Sequence, residues 1–175
     1  MLSQIIKSVI KRNEPATISD PFGYSSMKGR VWPHVIDYNL HMNNAKYLTV
    51  LEKARWAHFR ELGWFKKMLD NRINIVIGSL ELTFIRELGF LQAYDIQTHI
   101  LTWDEKYLYF EQKIFVKGKL HGHALFKFAG IRKGKRVMMP EMCDALGVDY
   151  AAAPRCPEID HWNAMSQTKR ESASS

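Results

Sequence analysis

The residues best suited to chemistry lie in one segment, Asp37-Tyr38-Asn39-Leu40-His41-Met42-Asn43-Asn44, which holds a carboxylate, an imidazole and three asparagines. A long apolar helix is predicted to begin directly after it. The first turn of such a helix presents unpaired backbone N–H groups and the positive end of its dipole. These groups can stabilise charge that develops on a carbonyl oxygen, with Asp37 facing the same point as nucleophile or as general base towards water. The segment therefore has the outline of a carbonyl-attack site.

A purely structural role is also open to the same residues. Asp37 and Asn39 can form Asx-turns, Asn43 can cap the helix, and His41 can be hydrogen-bonded within the turn. On local physics alone this structural role is favoured, because helix caps far outnumber active sites.

The helix that follows has to position this segment. Asn43 or Asn44 is a suitable N-cap, and Gly63 is a natural C-terminal stop. Apolar residues recur between them at helical spacing, with others widening the face: Leu48, Leu51, Phe59 and Leu62, then Tyr47, Val50, Ala54 and Ala57. A helix that is apolar over so much of its circumference is predicted to be largely buried.

Strand patterns dominate the rest of the chain. A short strand is predicted over residues 30–36, at a sheet edge or with a bulge, because Pro33 cannot donate to a ladder. Later strands are predicted at residues 73–77, 80–85, 94–103, 108–116 and 120–131, and a short helix at about 140–147. Tight turns at Lys117-Gly118-Lys119 and Lys133-Gly134-Lys135 imply an antiparallel sheet. The predicted fold class is α+β, a curved antiparallel sheet wrapped around one long central helix.

The domain limits follow from these elements. Residues 1–27 are predicted to be an N-terminal amphipathic helix with an irregular lead-in, and residues 28–150 a single domain. Residues 151–175 are predicted to be an extended C-terminal arm, pinned by Pro154, Pro157 and Trp162, with a loose polar tail from about residue 163. The N-terminal helix could contact a membrane surface, although closing over its own domain is the preferred prediction at this length.

Composition excludes several classes of protein. No apolar run is long enough to span a membrane, and the net charge of +7 comes without a nucleic-acid recognition motif. Cys143 and Cys156 lack metal-ligand spacing, which argues against a disulfide framework or a zinc site and favours a reducing cytoplasm. His121 and His123 alternate on one strand, but no third ligand is near, so a solvent-facing or dimer-facing pair is favoured. No metal and no cofactor are predicted.

The central segment resembles a known family. Asp-x-x-x-His-Met-Asn-Asn-Ala-x-Tyr, running into Leu48 and Glu52-Lys53-Ala54-Arg55, is similar to the hot-dog thioesterases of the 4-hydroxybenzoyl-CoA thioesterase superfamily. The stretch from Gly78 to Leu88 resembles the family's second strand, and Trp103-Asp104-Glu105-Lys106 its following hairpin turn. The resemblance covers roughly residues 28 to 147.

The resemblance implies a hot-dog fold that hydrolyses acyl-CoA or acyl-carrier-protein thioesters, assembled as a homodimer or tetramer with sites at the interface. Carried over by position, Asp37 is the catalytic carboxylate and the backbone N–H near Asn44 polarises the thioester carbonyl, while His41 and Asn43 shape the loop. Tyr47, Glu52 and Ser79 are candidates for substrate contact. Packing is the alternative role for Tyr47 and Ser79, and a salt bridge to Arg55 or Arg86 is the alternative for Glu52.

One departure from the family pattern bears on activity. The family's usual glycine before the histidine is Leu40 here, so the loop is expected to have difficulty reaching the same left-handed conformation unless Asn39 supplies the flexibility. This departure and the basic amphipathic N-terminus keep a second hypothesis open, a non-catalytic acyl-ligand binding or scaffold protein on the same fold.

Overall fold

The computed structural model describes residues 15–172 of the 175-residue chain, so the helix predicted near the N-terminus lies outside the described residues. In chain order the elements are β1 (Ser25–Arg30), α1 (Asn44–Glu61), α2 (Trp64–Asp70), β2 (Asn74–Phe84), β3 (Ala93–Trp103), β4 (Leu108–Val116), β5 (Lys119–Arg132), β6 (Lys135–Val137), α3 (Met139–Leu146) and α4 (Pro157–Ser172). The strands form one antiparallel sheet in the order β1-β3-β4-β5-β2, and β6 pairs with β5.

Two tight turns set the register of the sheet, as the sequence predicts. Lys117 and Gly118 connect β4 to β5 with φ values of 48° and 75°, and Lys133 and Gly134 connect β5 to β6 with 49° and 76°. Two central residues with positive φ define the turn whose twist matches that of paired strands. The predicted hairpins and the antiparallel sheet are therefore confirmed.

Helix α1 packs its apolar face against one side of the sheet. It begins after the N-cap Asn43 and ends before Gly63, whose φ of 69° is left-handed, so both predicted boundaries are confirmed. Leu51 and Phe59 have no exposed surface, and they belong to the main core together with residues of β3, β4 and β5. The helix inside a curved antiparallel sheet is the predicted architecture.

The predicted strand over residues 30–36 is wrong. The strand is β1, which ends at Arg30, and Pro33 begins a short 3-10 turn, Pro33–Val35. Proline suits that position because the first N–H groups of a helical turn have no partner to lose. The edge location is right, since β1 is the outermost strand beside β3. The two strands predicted at residues 73–77 and 80–85 are one strand, β2, with a register shift between Ile77 and Ser79.

The extended arm and loose tail predicted for residues 151–175 are also wrong where the structure describes them, because residues 157–172 form helix α4. Ile159 and Trp162 are buried against Tyr109, on the side of the sheet opposite α1. Asn163 accepts a hydrogen bond from Lys127 Nζ at 2.7 Å and donates one to the Tyr109 hydroxyl at 2.8 Å. These contacts fix the helix to the sheet, so Trp162 does hold the segment as predicted. Within residues 15–172, no helix combines the length and hydropathy needed to cross a bilayer.

A charged cluster lies on that same outer side. The Glu111 carboxylate accepts hydrogen bonds from His123 Nε2 at 2.8 Å and from Lys113 Nζ at 2.7 Å, and His99 Nδ1 lies 3.6 Å away. His121 is bonded separately, with Nδ1 3.0 Å from the Glu87 carbonyl oxygen. The two histidines predicted to face solvent or a dimer partner therefore each have a hydrogen-bond partner within this chain.

His58 is a fully buried histidine under α1. Its Nδ1 lies 3.0 Å from Ser25 Oγ, and its Nε2 has no hydrogen-bond partner among residues 15–172. Burial, with a smaller contribution from His99, lowers the pKa of His58 to about 4. The ring is therefore neutral in the folded protein at neutral pH.

We expect acid to destabilise the fold through His58. Its pKa is 6.5 in the ordinary state and about 4 when folded, so the unfolded chain binds the proton first. The contribution of neutral His58 to the free energy of unfolding is fully present above pH 6.5, its unfolded pKa. It decreases as the pH falls from there towards 4, by up to about 1.4 kcal/mol per pH unit. Urea unfolding at a series of pH values should show a shallower loss in His58→Gln than in the wild type. Parallel pH profiles would contradict this assignment.

The titration of Glu111 falls at a lower pH than the loss of stability assigned to His58. Burial raises its pKa, but the hydrogen bonds from His123 and Lys113 outweigh burial and bring it to about 2, so its own loss of stability begins below 4.5. His99, whose pKa burial lowers, is present in both proteins, so its own titration contributes to both pH profiles.

Candidate active site

The turn before α1 is closed by its own backbone. Asp37 N donates to His41 O at 3.0 Å and Leu40 N donates to Asp37 O at 3.1 Å, while Ile36 pairs with Met42 in an isolated bridge. The Asp37 side chain accepts from Asn39 N through Oδ1 at 3.0 Å, which is the predicted Asx-turn. Its other oxygen, Oδ2, has no hydrogen-bond partner in the described part of the chain. The carboxylate is thus oriented by one oxygen and open at the other.

The helix cap leaves one backbone N–H group available. Asn43 Oδ1 accepts from Ala45 N at 3.0 Å, and Lys46 N donates to Asn43 O at 2.8 Å. The N–H of Asn44 has no acceptor among residues 15–172, and Asn44 is exposed. The start of α1 therefore presents one free donor, reinforced by the positive end of the helix dipole.

These groups line a cavity of about 340 Å³ between the turn and the segment that follows β2. The turn and the helix contribute Asp37, Asn39, His41, Met42, Asn44 and Tyr47, and the facing segment contributes Phe84, Ile85, Arg86 and Glu87. The structure thus brings together four of the predicted residues, Asp37, His41, Asn44 and Tyr47. Asn43 acts as the cap at the cavity's edge.

Backbone contacts clamp the two walls together. Met42 N donates to Leu88 O at 2.8 Å, and His41 pairs with Gly89 in an isolated bridge. The Tyr47 hydroxyl accepts from Leu88 N at 3.2 Å, and its ring packs edge-on against Phe84. Burial raises the pKa of Tyr47, so it is a neutral packing residue at ordinary pH. These contacts hold the two walls of the cavity in a fixed position relative to each other.

Glu87 is a wall residue that the sequence did not single out, and Arg86 was considered only as a salt-bridge partner for Glu52. Their stretch was recognised as a strand of the family, but the contacts of Leu88 and Gly89 with Met42, Tyr47 and His41 are what show that it faces the turn. Arg86 is held by a hydrogen bond from Nη1 to the Leu120 carbonyl. Sequence spacing alone carries no signal for this pairing.

Two predicted contact residues lie elsewhere. Glu52 is an exposed residue of α1 that does not line this cavity. Ser79 lines a separate cavity of about 250 Å³ between β2 and α4, together with Trp162 and Met165. Neither residue is brought near Asp37 by the fold of this chain.

The salt bridge suggested for Glu52 is not formed. Arg55 is buried, and its Nη1 donates to Gln112 Oε1 at 2.8 Å while the guanidinium carbon lies 3.9 Å above the Phe126 ring. Burial lowers the pKa of Arg55 to about 10, and Glu52 opposes this only through a longer-range charge interaction. The side chain reaches down into the core instead of along the helix surface.

Leu40 reaches the left-handed conformation that the sequence was expected to resist. Its φ is 63° and its side chain is 64% exposed. The turn is closed around it by the two backbone hydrogen bonds between Asp37, Leu40 and His41. A leucine there costs roughly 1–2 kcal/mol relative to a right-handed conformation, because Cβ crowds the backbone. The loop geometry is therefore kept at the expense of strain.

We expect Leu40→Gly to raise the free energy of unfolding by about 0.5–1 kcal/mol, since relief of the strain exceeds the entropy that glycine adds to the unfolded chain. Leu40→Ala is the matched control, because it removes the same exposed side chain but keeps Cβ, and it should not stabilise. Urea unfolding of the three proteins measures both changes. Equal stability of the glycine and alanine variants would show that φ at this position stores no strain.

The architecture defines the class of protein: an antiparallel sheet curled around one helix is the hot-dog fold, which thioesterases share. The chain belongs to the thioesterase-like superfamily, whose sequence model matches residues 31–162. This confirms the resemblance and the fold predicted from the sequence, and it makes thioester hydrolysis the class of reaction.

Individual proteins agree with this membership. Protein THEM6 of Danio rerio is 31% identical, over 87% of this chain and 77% of its own length. A crystal structure of YbaW, a probable thioesterase from Escherichia coli, superposes with a TM-score of 0.65 at 24% identity and covers 69% of this chain and 95% of that one. A Staphylococcus aureus protein solved in complex with CoA has a TM-score of 0.63 at 17% identity, covering 79% and 91%. At these identities the two structures establish the fold alone.

Proposed function

We propose that this chain hydrolyses acyl thioesters of CoA, or of acyl-carrier protein, in the cavity between the Asp37 turn and residues 84–87. The observation that supports this most directly is the pairing of one open carboxylate oxygen on Asp37 with one unpaired backbone N–H on Asn44. An acyl transfer site needs these two groups, a base or nucleophile and a donor for the oxyanion.

The two groups would act on opposite sides of the carbonyl. The Asn44 N–H donates to the thioester oxygen, and the helix dipole adds to its effect as negative charge develops. Asp37 either takes a proton from water as the water attacks, or attacks the carbonyl carbon itself to form an acyl anhydride that water then cleaves. In both routes the C–S bond breaks, the thiolate takes up a proton, and a free acid and a thiol leave.

The non-catalytic alternative loses the support that it drew from Leu40. That hypothesis rested on a turn that Leu40 would distort and on the basic N-terminal segment, and the turn has its left-handed residue at Leu40. A binding-only protein would also have no need for an oriented carboxylate beside a free helix amide. Catalysis is therefore the function that the geometry favours.

We further propose a homodimer formed through the free edge of β2. This strand pairs with β5 on one side only within the described residues, and its eleven residues include apolar side chains that are more than a third exposed: Val76 at 46%, Ile77 at 47%, Leu80 at 40% and Phe84 at 46%. A long apolar edge strand is a template for pairing with another chain. A second copy would cover it and would lie next to the cavity, since Phe84 belongs to both.

The same apolar surface suggests the acyl group. Leu80 lies opposite Phe126 of β5, and Phe84 lies opposite Gly122. Phe126 belongs to the core under α1, so Leu80 and Phe84 are on the same side of the sheet as α1. We propose a medium or long aliphatic chain, because such a chain buries apolar area along this wall and a short polar acyl group does not.

The compartment proposed is the reducing cytoplasm. Cys143 is buried and Cys156 half-buried, and both are free thiols. Burial raises the pKa of Cys143 to about 11, so this thiol is unreactive at neutral pH. Two unpaired cysteines agree with a compartment in which thiols stay reduced.

The test is a panel of acyl-CoAs from acetyl to palmitoyl, with release of the free thiol followed by a thiol reagent and the molar mass followed by light scattering. We expect hydrolysis that increases with chain length, by a protein with the mass of two or four chains. Binding of palmitoyl-CoA without thiol release would favour the non-catalytic alternative. A monomer at concentrations where the enzyme is active would remove the β2 interface from the proposal.

A further inference from the structure

Two exposed leucines near the candidate active site have left-handed backbone conformations. Leu40 has a φ of 63° and Leu91 a φ of 57°, and their side chains are 64% and 43% exposed. Glycine adopts this conformation without strain and asparagine with less strain than leucine, while an apolar side chain in water gains nothing from packing. Strain that persists at two exposed positions indicates that the leucine side chains themselves are used.

The two leucines lie at the tips of neighbouring turns. His41, which follows Leu40, pairs with Gly89 in an isolated antiparallel bridge. Continuing that pairing by one residue brings Leu40 towards Phe90, which precedes Leu91 in the chain and is 50% exposed. The tips of the two turns therefore form one apolar surface beside the cavity that His41 lines.

Two further aromatic residues extend this surface. Trp32 is 52% exposed, and Val31 before it accepts a hydrogen bond from Leu91 N at 2.9 Å. Tyr38 is 92% exposed and lies in the same turn as Leu40. We call the five exposed residues the apolar rim: Trp32, Tyr38, Leu40, Phe90 and Leu91.

The apolar rim projects from one edge of the sheet. β1 ends at Arg30 and β3 begins at Ala93, its partner in the ladder, so both strands reach the rim at the same edge. The Lys117-Gly118 turn joins β4 to β5 at this edge, whereas the Lys133-Gly134 turn lies at the other end of the 14-residue strand β5. A surface made of loop tips suits a flat partner, because it needs no groove to receive it.

Cations lie beside the apolar rim. Lys28, Arg30 and Lys117 line an open trough of about 940 Å³ together with two residues of the rim. Asp95 is the one carboxylate among the residues that line the trough, and its Oδ1 accepts a hydrogen bond from Ser26 Oγ at 2.6 Å. The charge next to the rim is therefore positive, in a chain whose net charge is +7. Such a face is complementary to an anionic surface.

We infer that the apolar rim docks on an anionic lipid bilayer, with Lys28, Arg30 and Lys117 against the headgroups. Tryptophan, tyrosine and leucine side chains beside lysine and arginine are the composition that proteins place at the boundary between headgroups and acyl chains. A second copy fits this face poorly, because a two-fold contact would bring the same cations opposite one another.

The inference goes beyond the proposed function. His41 belongs to the turn that carries Asp37, and it lies between the rim and the cavity. Docking through the rim therefore brings the candidate active site to a surface in which long acyl chains dissolve.

The first experiment measures partitioning of the full chain onto phosphatidylcholine vesicles, with and without phosphatidylserine, by sedimentation. We expect partitioning onto the anionic vesicles to be at least about tenfold stronger. In Leu40→Asn/Leu91→Asn we expect it to fall by at least about tenfold, because two apolar side chains are lost from the interface. Asparagine tolerates the left-handed conformation, so urea unfolding should show no loss of stability.

Leu69→Asn/Met165→Asn is the matched control for the loss of apolar surface. These side chains are 42% and 46% exposed, but they lie on α2 and α4, outside the rim. Their replacement should leave partitioning within about twofold of the wild type. An equal loss in both double variants would overturn the inference in favour of general hydrophobicity, and unchanged partitioning in Leu40→Asn/Leu91→Asn would place the contact on another part of the chain.

The role of the cations is tested in the same way. In Lys28→Gln/Lys117→Gln we expect partitioning onto the anionic vesicles to fall about tenfold, because two headgroup contacts are lost. Lys133→Gln/Lys135→Gln removes the same net charge from the opposite edge of the sheet, and it should change partitioning by less than about twofold. Equal losses would mean that long-range attraction to the whole chain, and not this face, decides binding.

Trp32 gives a direct measurement of the docked face. It is exposed, whereas Trp64, Trp103 and Trp162 are buried and Trp56 is half-buried. We expect the tryptophan emission to shift to shorter wavelength on binding to anionic vesicles, and Trp32→Phe to bind them without this shift. Vesicle binding by the wild type with unchanged emission would overturn the inference, because Trp32 would then remain in water.

A second copy of the chain is the other possible occupant of the rim. Light scattering without vesicles should give Leu40→Asn/Leu91→Asn the same molar mass as the wild type. Dissociation of this variant into smaller species would make the rim a subunit contact, and the inference would fail.

None of these measurements requires turnover, so the inference and the proposed function fail separately. Hydrolysis of acyl-CoAs without vesicle binding would overturn the inference alone. Vesicle binding through the rim without hydrolysis would overturn the proposed function and leave the docking face in place.

Discussion

Replacing Asp37 with asparagine is expected to lower kcat/KM for acyl-CoA hydrolysis by about a thousandfold, within the range that a positioned general base or nucleophile contributes. The asparagine side chain keeps an oxygen that accepts from Asn39 N, so the Asx-turn and the loop survive. It loses only the negative charge and the basic second oxygen. Thiol release under kcat/KM conditions measures the loss, and urea unfolding should show a change of stability below about 0.5 kcal/mol.

Glu52→Gln is the matched control for this experiment. It removes the other carboxylate that the family resemblance places near the chemistry, but Glu52 is exposed and does not line the cavity. We expect its kcat/KM to stay within about twofold of the wild type. If Glu52→Gln loses activity and Asp37→Asn retains it, the catalytic carboxylate is Glu52 of α1. If neither variant loses activity, the proposed mechanism is wrong.

Local signals explain why so much of the fold could be predicted. In each Lys-Gly turn the glycine adopts positive φ at no steric cost, so a glycine between two strand patterns is a local signal for a hairpin turn. Asn43 and Gly63 likewise specify the two ends of α1 through a side-chain cap and a left-handed glycine. An antiparallel sheet joined by hairpins around one buried helix follows with few alternatives.

The errors arose where a distant contact decides the structure. Residues 163–172 are polar, so their own composition favours a loose tail, and helix α4 owes its place to Ile159 and Trp162 packing on Tyr109. Similarly, Leu40 has no local reason to be left-handed. The backbone hydrogen bonds of Asp37 and His41 and the pairing of the turn with the segment after β2 impose that conformation.

The same limit applies to the candidate site. Asp37 and Asn44 are close in sequence, so their association could be predicted, whereas Glu87 faces them only because Gly89 pairs with His41 across the fold. The role of Arg55 was also missed. Glu52 lies three residues before Arg55, so helical spacing suggests a salt bridge between them. Nothing in the sequence shows that Gln112 of β4 lies close enough to Arg55 to accept its hydrogen bond instead.

Arg55 and Gln112 form the centre of a polar network between α1 and the sheet. Gln112 has no exposed surface, accepts from Arg55, and donates through Nε2 to Leu51 O at 3.0 Å and to Thr98 Oγ1 at 2.9 Å. The network therefore links the helix to β3 and β4 at one point. Because α1 carries the Asn44 amide, this link also fixes where the amide lies relative to the sheet.

We expect Arg55→Met to lower the free energy of unfolding by about 3 kcal/mol, because it strips a buried amide oxygen of its donor and removes packing on Phe126. Gln112→Leu should cost a similar amount by leaving a buried guanidinium without its acceptor. The double variant Arg55→Met/Gln112→Leu should lose less than the sum of the two, by at least about 1 kcal/mol, since neither partner then remains unsatisfied. Urea unfolding of the four proteins gives this coupling energy.

Lys53→Met provides the control for the change of side chain, because it makes a similar replacement on the exposed face of the same helix, where stability should change by less than about 0.5 kcal/mol. Additive losses in the double variant would mean that the hydrogen bond contributes no coupling and that Arg55 acts only by packing. A positive coupling energy together with a reduced kcat in the double variant would show that the network positions α1. The apolar pair can restore stability, but it need not restore the position of the Asn44 amide relative to the substrate carbonyl.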